Sequence, residues 1–193
     1  MDDNVNSNLE CAKKETDSVR EKLGDLESKM KEFDGKIEDL NLKDLYLEAY
    51  SRRENIKFMN IEEGDGDENV EDVIRTFLRD ELNYKDYDKV EMQRIHRNPA
   101  RKNPNRREPR PILARFLRAK DCESIMSHGR NLKGTNYQMF TDLPTELVKR
   151  RKAQMPTFKL AKANRIPAAF SKSEPDKLYI RGKLWPVGQK LNI

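Results

Sequence analysis

Residues 94–120 read RIHRNPARKNPNRREPRPILARFLRAK, and two kinds of chain meet in this stretch. Residues 97–110 contain Pro99, Pro104 and Pro109 and almost no apolar side chain, so they cannot bury themselves. Residues 111–117, PILARFL, are apolar and strand-like. The whole stretch carries ten basic residues against one acid, Glu108, and eight of the ten are arginine. Arginine makes forked contacts to phosphate and stacks on bases, and lysine does neither as well. A basic, proline-stiffened loop feeding a strand suits an arm that contacts phosphate from a folded platform. The plainer alternative is a solvated charged loop.

Working outward, alternation on the third strand puts Ile112, Ala114 and Phe116 on one face and Leu113, Arg115 and Leu117 on the other. Val90–Ile95 reads as the strand that leads into the arm. Further upstream, Asn55–Ile61 (NIKFMNI) reads as a buried strand closed by the acidic turn 62–67. Glu68–Leu82 places Val70, Val73, Ile74, Phe77, Leu78 and Leu82 at helical spacing, with acids in its first turn. Downstream, Lys120–Arg130 reads as a helix with Cys122, Ile125 and Met126 inward. A turn at Lys133-Gly134 leads to a strand at Tyr137–Phe140. Strand, helix, strand, strand, helix, strand is the split βαβ, ferredoxin-like plan: an antiparallel four-stranded sheet with both helices on one face. RNA-recognition-motif domains share this plan and bind single strands on the free face, with aromatics on the first and third strands. Here that aromatic pair is missing, so binding should lean on Arg and Lys, be salt-sensitive and tolerate sequence.

Residues 142–193 form a second, smaller α/β unit. Asp142-Leu143-Pro144-Thr145-Glu146 reads as a helix start, with Asp142 a cap candidate and Pro144 in the first turn. The helix carries Lys149, Arg150, Arg151 and Lys152 and is expected to be interrupted or kinked at Pro156. Ala168–Ser171 is extended, and Lys177–Trp185 reads as a hairpin around Arg181-Gly182-Lys183. A unit this small should dock on its neighbour.

At the other end, residues 9–47 carry a heptad. Positions a are Leu9, Thr16, Leu23, Met30, Ile37 and Asp44; positions d are Ala12, Val19, Leu26, Phe33, Leu40 and Leu47. Ten of the twelve are apolar and no proline intervenes, which favours a coiled coil over residues 9–50. The alternative is a single amphipathic helix packed on its own domain, since Gly24 and Gly35 weaken helix propensity. A parallel assembly pairs Glu15 with Arg20, Lys22 with Glu27 and Lys29 with Asp34. An antiparallel one sets Lys22, Lys29, Lys36 and Lys43 against each other. The charges therefore argue for a parallel homo-oligomer, with two or three strands left open. The acidic, polar residues 1–8 are expected to be disordered and do not read as a signal peptide.

Composition sharpens this division. Residues 1–89 hold 15 bases and 26 acids, net −11; residues 90–193 hold 24 bases and 8 acids, net +16. Such a split points to a polyanion-binding C-terminal half and an N-terminal half kept off the polyanion. Cys11 and Cys122 have no CxxC partner, so a reducing interior without structural disulfides is expected. No apolar run approaches 18 residues, so no membrane span is expected. His96 and His128, the two histidines, lie in no metal-ligand spacing. No phosphate loop, nucleophile elbow or catalytic carboxylate cluster appears. The expectation is a non-enzyme with no metal, no cofactor and no small-molecule substrate. Trp185 is expected to pack the terminal hairpin.

Several segments together resemble the first-open-reading-frame protein of LINE-type retrotransposons. Ser51-Arg52-Arg53-Glu54-Asn55-Ile56-Lys57 resembles that family's junction between coiled coil and RNA-recognition motif. Gln93-Arg94-Ile95-His96-Arg97, followed by Arg106-Arg107-Glu108-Pro109-Arg110-Pro111-Ile112-Leu113-Ala114-Arg115-Phe116, resembles its basic loop and third strand. Asp142-Leu143 with Arg150-Arg151 resembles the start of its C-terminal domain. The resemblance covers most of the chain from Leu9, in the same order. It implies a parallel homotrimeric coiled coil, binding of single-stranded RNA and DNA, and nucleic-acid chaperone activity in a ribonucleoprotein particle. That particle would be cytoplasmic, with the nucleus as a second location.

On these grounds the candidate nucleic-acid contacts begin with Arg52, Arg53 and Lys57. The arm and its strands add Arg94, Arg97, Arg101, Lys102, Arg106, Arg107, Arg110 and Arg115. Arg130 follows, then Lys149, Arg150 and Arg151. Arm and C-terminal clusters are expected to face each other across a cleft between the domains at 54–141 and 142–193, forming one phosphate track. The competing reading from a different class is a coiled-coil adaptor for protein partners whose basic half associates with polyanions without specificity.

Overall fold

Alternation sorts the side chains of two neighbouring strands, β1 (Asn55–Met59) and β3 (Ile112–Phe116). They pair antiparallel with Ile56 opposite Ala114 and Phe58 opposite Ile112. These four residues and Phe116 are fully buried and build the main core. Burying a side chain of this size contributes about 1.5–3 kcal/mol. The structure is a computed structural model describing residues 2–64, 68–98 and 109–191, with side chains from residue 13 onward.

The chain divides into two units, residues 1–44 and 45–193. The first lies within α1 (Asp2–Ser51), one uninterrupted helix. Gly24 and Gly35 do not break it. Its heptad side chains Val19, Leu23, Leu26, Met30, Phe33, Ile37 and Leu40 are 53–65% exposed in the single chain. The expected positions Leu9 and Ala12 lie outside the described side chains. The last turn of α1 belongs to the second unit: Ala49 is buried, and Tyr46 donates a hydrogen bond to Asp176 at 2.9 Å.

In the second unit, α2 (Val70–Asp80) follows β1, capped by Asn69, whose side chain accepts from the Glu71 amide at 3.1 Å. It buries Ile74, Phe77 and Leu78, and Phe77 meets Phe58 edge-on at 5.6 Å between ring centres. Then come β2 (Met92–Arg97), β3, α3 (Ala119–Ser127), a 3-10 turn at His128–Leu132 and β4 (Gln138–Thr141). The sheet order is β2-β3-β1-β4, with each neighbouring pair antiparallel. Side chains of α2 and α3 share the core with the same sheet face, so both helices cover one side.

The C-terminal part holds α4 (Thr145–Ala163) and a three-stranded antiparallel sheet, β5 (Ala168–Phe170), β6 (Leu178–Ile180) and β7 (Lys183–Trp185). Arg181 and Gly182 both have positive φ, 53° and 76°, as the two-residue turn of a tight hairpin requires. Ala161, Ala168, Leu178 and Ile180 form a small core on which Phe158, Phe170 and Trp185 pack. Trp185 also donates from Nε1 to the Gln189 carbonyl at 3.1 Å.

Three local expectations need correction. β2 begins and ends two residues later than the sequence reading placed it, so Arg97 belongs to the sheet and not to the arm. α4 runs through Pro156 without interruption. The N-cap of α4 is Pro144 and makes no side-chain cap bond. Asp142 instead accepts from Asn55 Nδ2 at 3.0 Å and pairs with Arg52 at 3.7 Å, tying the end of β4 to the start of β1.

Candidate nucleic-acid interface

The sheet face away from α2 and α3 is built by register. Phe140, Lys57, Leu113 and His96 lie opposite one another across β4, β1, β3 and β2 and form one row. Asn55, Arg115 and Arg94 form the next row. Lys57 is half-buried and Arg94 exposed, and neither makes an ion pair among the described residues. Arg115 is exposed and pairs with Glu54 at 3.2 Å. Arg53 shares Glu54, at 2.8 Å, and stacks its guanidinium 4.0 Å from the centre of the Tyr50 ring. Arg52 pairs with Glu48 and Asp142. Glu54 and Asp142, the acids at the ends of these rows, are thus already engaged by arginine.

Arg97 contradicts its assignment as a phosphate contact. It lies on the core-facing side of β2 opposite Ile112 and is 8% exposed. Nε and Nη2 donate to Glu68 at 2.6 and 2.7 Å. Nη1 donates to the Ile61 and Arg110 carbonyls, and Nη2 also to the Glu62 carbonyl. No donor remains for a ligand. Arg110 is similarly engaged: its amide and guanidinium donate to Glu63, at distances from 2.8 to 3.2 Å. That hydrogen bonding to Arg110 holds the Glu63 carboxyl well below its ordinary value, at about 2. Arg97 in the same way lowers Glu68. Glu63 thus holds Arg110, and Glu68 with the Ile61 and Glu62 carbonyls holds Arg97 at the end of β2. Arg101, Lys102, Arg106 and Arg107 lie outside the described residues.

On α4, Lys149 is exposed and sits 3.9 Å from Glu146. Arg150 pairs with Glu146 at 3.3 Å and Asp176 at 3.7 Å. Arg151 is half-buried with its guanidinium 4.4 Å from the centre of the Phe170 ring, and desolvation lowers its pKa. Arg151 lines a cavity of about 550 Å³ with Tyr46, Tyr50, Arg53, Phe170 and Lys172. The cavity brings Arg151 together with Arg53. Arg130 is exposed in the 3-10 turn beside β4.

The sequence reading missed Phe140 and Lys172. Phe140 is 49% exposed on the outer edge of the sheet. Alternation from Met139, which packs on the core, was the available signal. Lys172 pairs with Glu123 at 2.9 Å, across a separation that no local pattern reveals. Cys122 also lines the cavity, but its thiol is buried, donates to the Glu54 carbonyl at 3.0 Å and is pushed up to about 12, so it is no thiolate. Among the described residues no group of three or more His, Cys, Asp or Glu is placed to hold a metal ion. Nor is any helix among them long and apolar enough to cross a membrane. No protein-family model matches this chain, and no curated protein matches it.

Proposed function

We propose that this protein binds single-stranded nucleic acid, RNA in the first instance, through an RNA-recognition-motif-like domain. A parallel homo-oligomeric coiled coil would join several such domains into a ribonucleoprotein that acts as a nucleic-acid chaperone. The observation that carries this reading is the uncovered sheet face. Both helices lie on the other side, the face presents Lys57, Arg94 and Arg115, and its acids are already paired. The +16 charge of residues 90–193 supports the same reading. The exposed heptad side chains support self-association, because a lone helix leaves this apolar stripe in water. Linked sites on one strand would raise affinity through effective concentration.

The reading is tested by fluorescence anisotropy with a labelled single-stranded oligonucleotide across a potassium chloride series. Binding to unrelated sequences is expected, with log affinity falling linearly in log salt by about 0.7 per phosphate contacted. No binding at low salt, or binding indifferent to salt, would leave the protein-scaffold reading in its place.

A further inference from the structure

We infer that Phe140 is a stacking platform for one base of a bound single strand, with Lys57 beside it to take an adjoining phosphate. This rests on the nucleic-acid reading above and assigns the part of it that charge alone does not supply.

A large aromatic side chain on a sheet normally finds apolar cover. Phe140 is 49% exposed although Met139, its neighbour in β4, packs into the core. It faces the helix-free side because it lies directly opposite Lys57, on the strand face that excludes Ile56 and Phe58. β4 is an edge strand. A planar ring set on Phe140 therefore has room beyond the sheet edge. A cation lies beside it: Lys57, directly opposite along the row.

An exposed apolar ring with a cation beside it suits a flat, π-bearing group carried on an anionic chain. It suits an apolar peptide less well, since Lys57 makes no ion pair among the described residues. Every base has a π-face, so one such platform adds affinity without selecting sequence.

The test uses the full chain and two labelled probes of equal length, an oligothymidylate and an abasic oligonucleotide with the same phosphates. The wild type should prefer the base-bearing strand. Phe140→Leu keeps apolar bulk and removes the π-face. It should lower that preference at least about five-fold, as expected for one lost stack, while leaving the salt slope unchanged. Phe140→Tyr should retain the preference. Lys57→Gln should reduce the salt slope by about 0.7 and keep the preference. A wild type that binds both probes equally, or a Phe140→Leu variant with wild-type preference, overturns the stacking assignment and leaves nucleic-acid binding intact. A wild type that binds neither probe overturns the nucleic-acid reading and this assignment with it.

Discussion

Arg97 and Glu68 lie 29 residues apart in sequence and form a two-pronged ion pair, Nε to Oε2 at 2.6 Å and Nη2 to Oε1 at 2.7 Å. The arginine side chain is 4% exposed and the glutamate 13%. Removing one partner of a buried pair leaves the other charge desolvated and uncompensated, at a cost of about 3–5 kcal/mol. Arg97→Ala is therefore expected to destabilise residues 45–193 by that order in urea unfolding, and Glu68→Gln in the same direction. Arg94→Ala, three residues earlier and exposed, should leave stability within about 0.5 kcal/mol. A wild-type urea midpoint for Arg97→Ala would mean that the pair does not hold the fold.

Acid should loosen the same corner. The Glu63 carboxyl titrates at about 2 beside Arg110, below its ordinary 4.5, and Glu68 is lowered as well. A depressed folded pKa gives stability that is present above the unfolded value and lost as pH falls through the folded one. Thermal stability should thus decline between about pH 4.5 and pH 2. Glu63→Gln lacks that titration, so its melting temperature should fall less over the window. Parallel curves for the two proteins would show that Glu63 contributes nothing to the acid response.

The sheet was legible because Ile112, Ala114 and Phe116 alternate cleanly and the other three strands are short apolar segments bounded by turns or helices. Arg97 was misread for a local reason. The sequence reading ends the strand at Ile95, whereas the two-residue period carried on to Arg97 puts it on the core side with Ile95. Its partner Glu68 looked like a helix-start acid, and a pairing 29 residues away has no local signature. Tyr46 and Asp176, 130 residues apart, were illegible on the same ground. The charge of α4 was visible, but its division into an exposed Lys149 and a ring-stacked Arg151 depends on where Phe170 packs.

That division makes a prediction for α4. Arg150 and Arg151 are engaged by Asp176 and by the Phe170 ring. Replacing both with Ala should lower the melting temperature and reduce the salt slope of strand binding by less than one contact, about 0.7. Lys149→Gln should leave the melting temperature unchanged and reduce the slope. A double variant with wild-type melting and a slope reduced by two contacts would return both arginines to the phosphate track.

The point at which α1 enters the folded unit decides how the protein can be divided. Residue 45, not residue 51, opens the folded unit. A fragment starting at residue 51 loses the Tyr46–Asp176 hydrogen bond and the buried Ala49. One hydrogen bond is worth about 1 kcal/mol, and Asp176, itself buried, is left with one acceptor short of a donor. Residues 51–193 should therefore melt a few degrees below residues 45–193, at about 2–4 °C per kcal/mol for a unit of this size. Both fragments should sediment as monomers, because the exposed stripe from Val19 to Leu40 is absent from each. The full chain should sediment as an oligomer at tens of micromolar, with the stripe buried between parallel helices. A monomeric full chain would defeat the coiled coil, and fragments melting together would make the last turn of α1 dispensable to the fold.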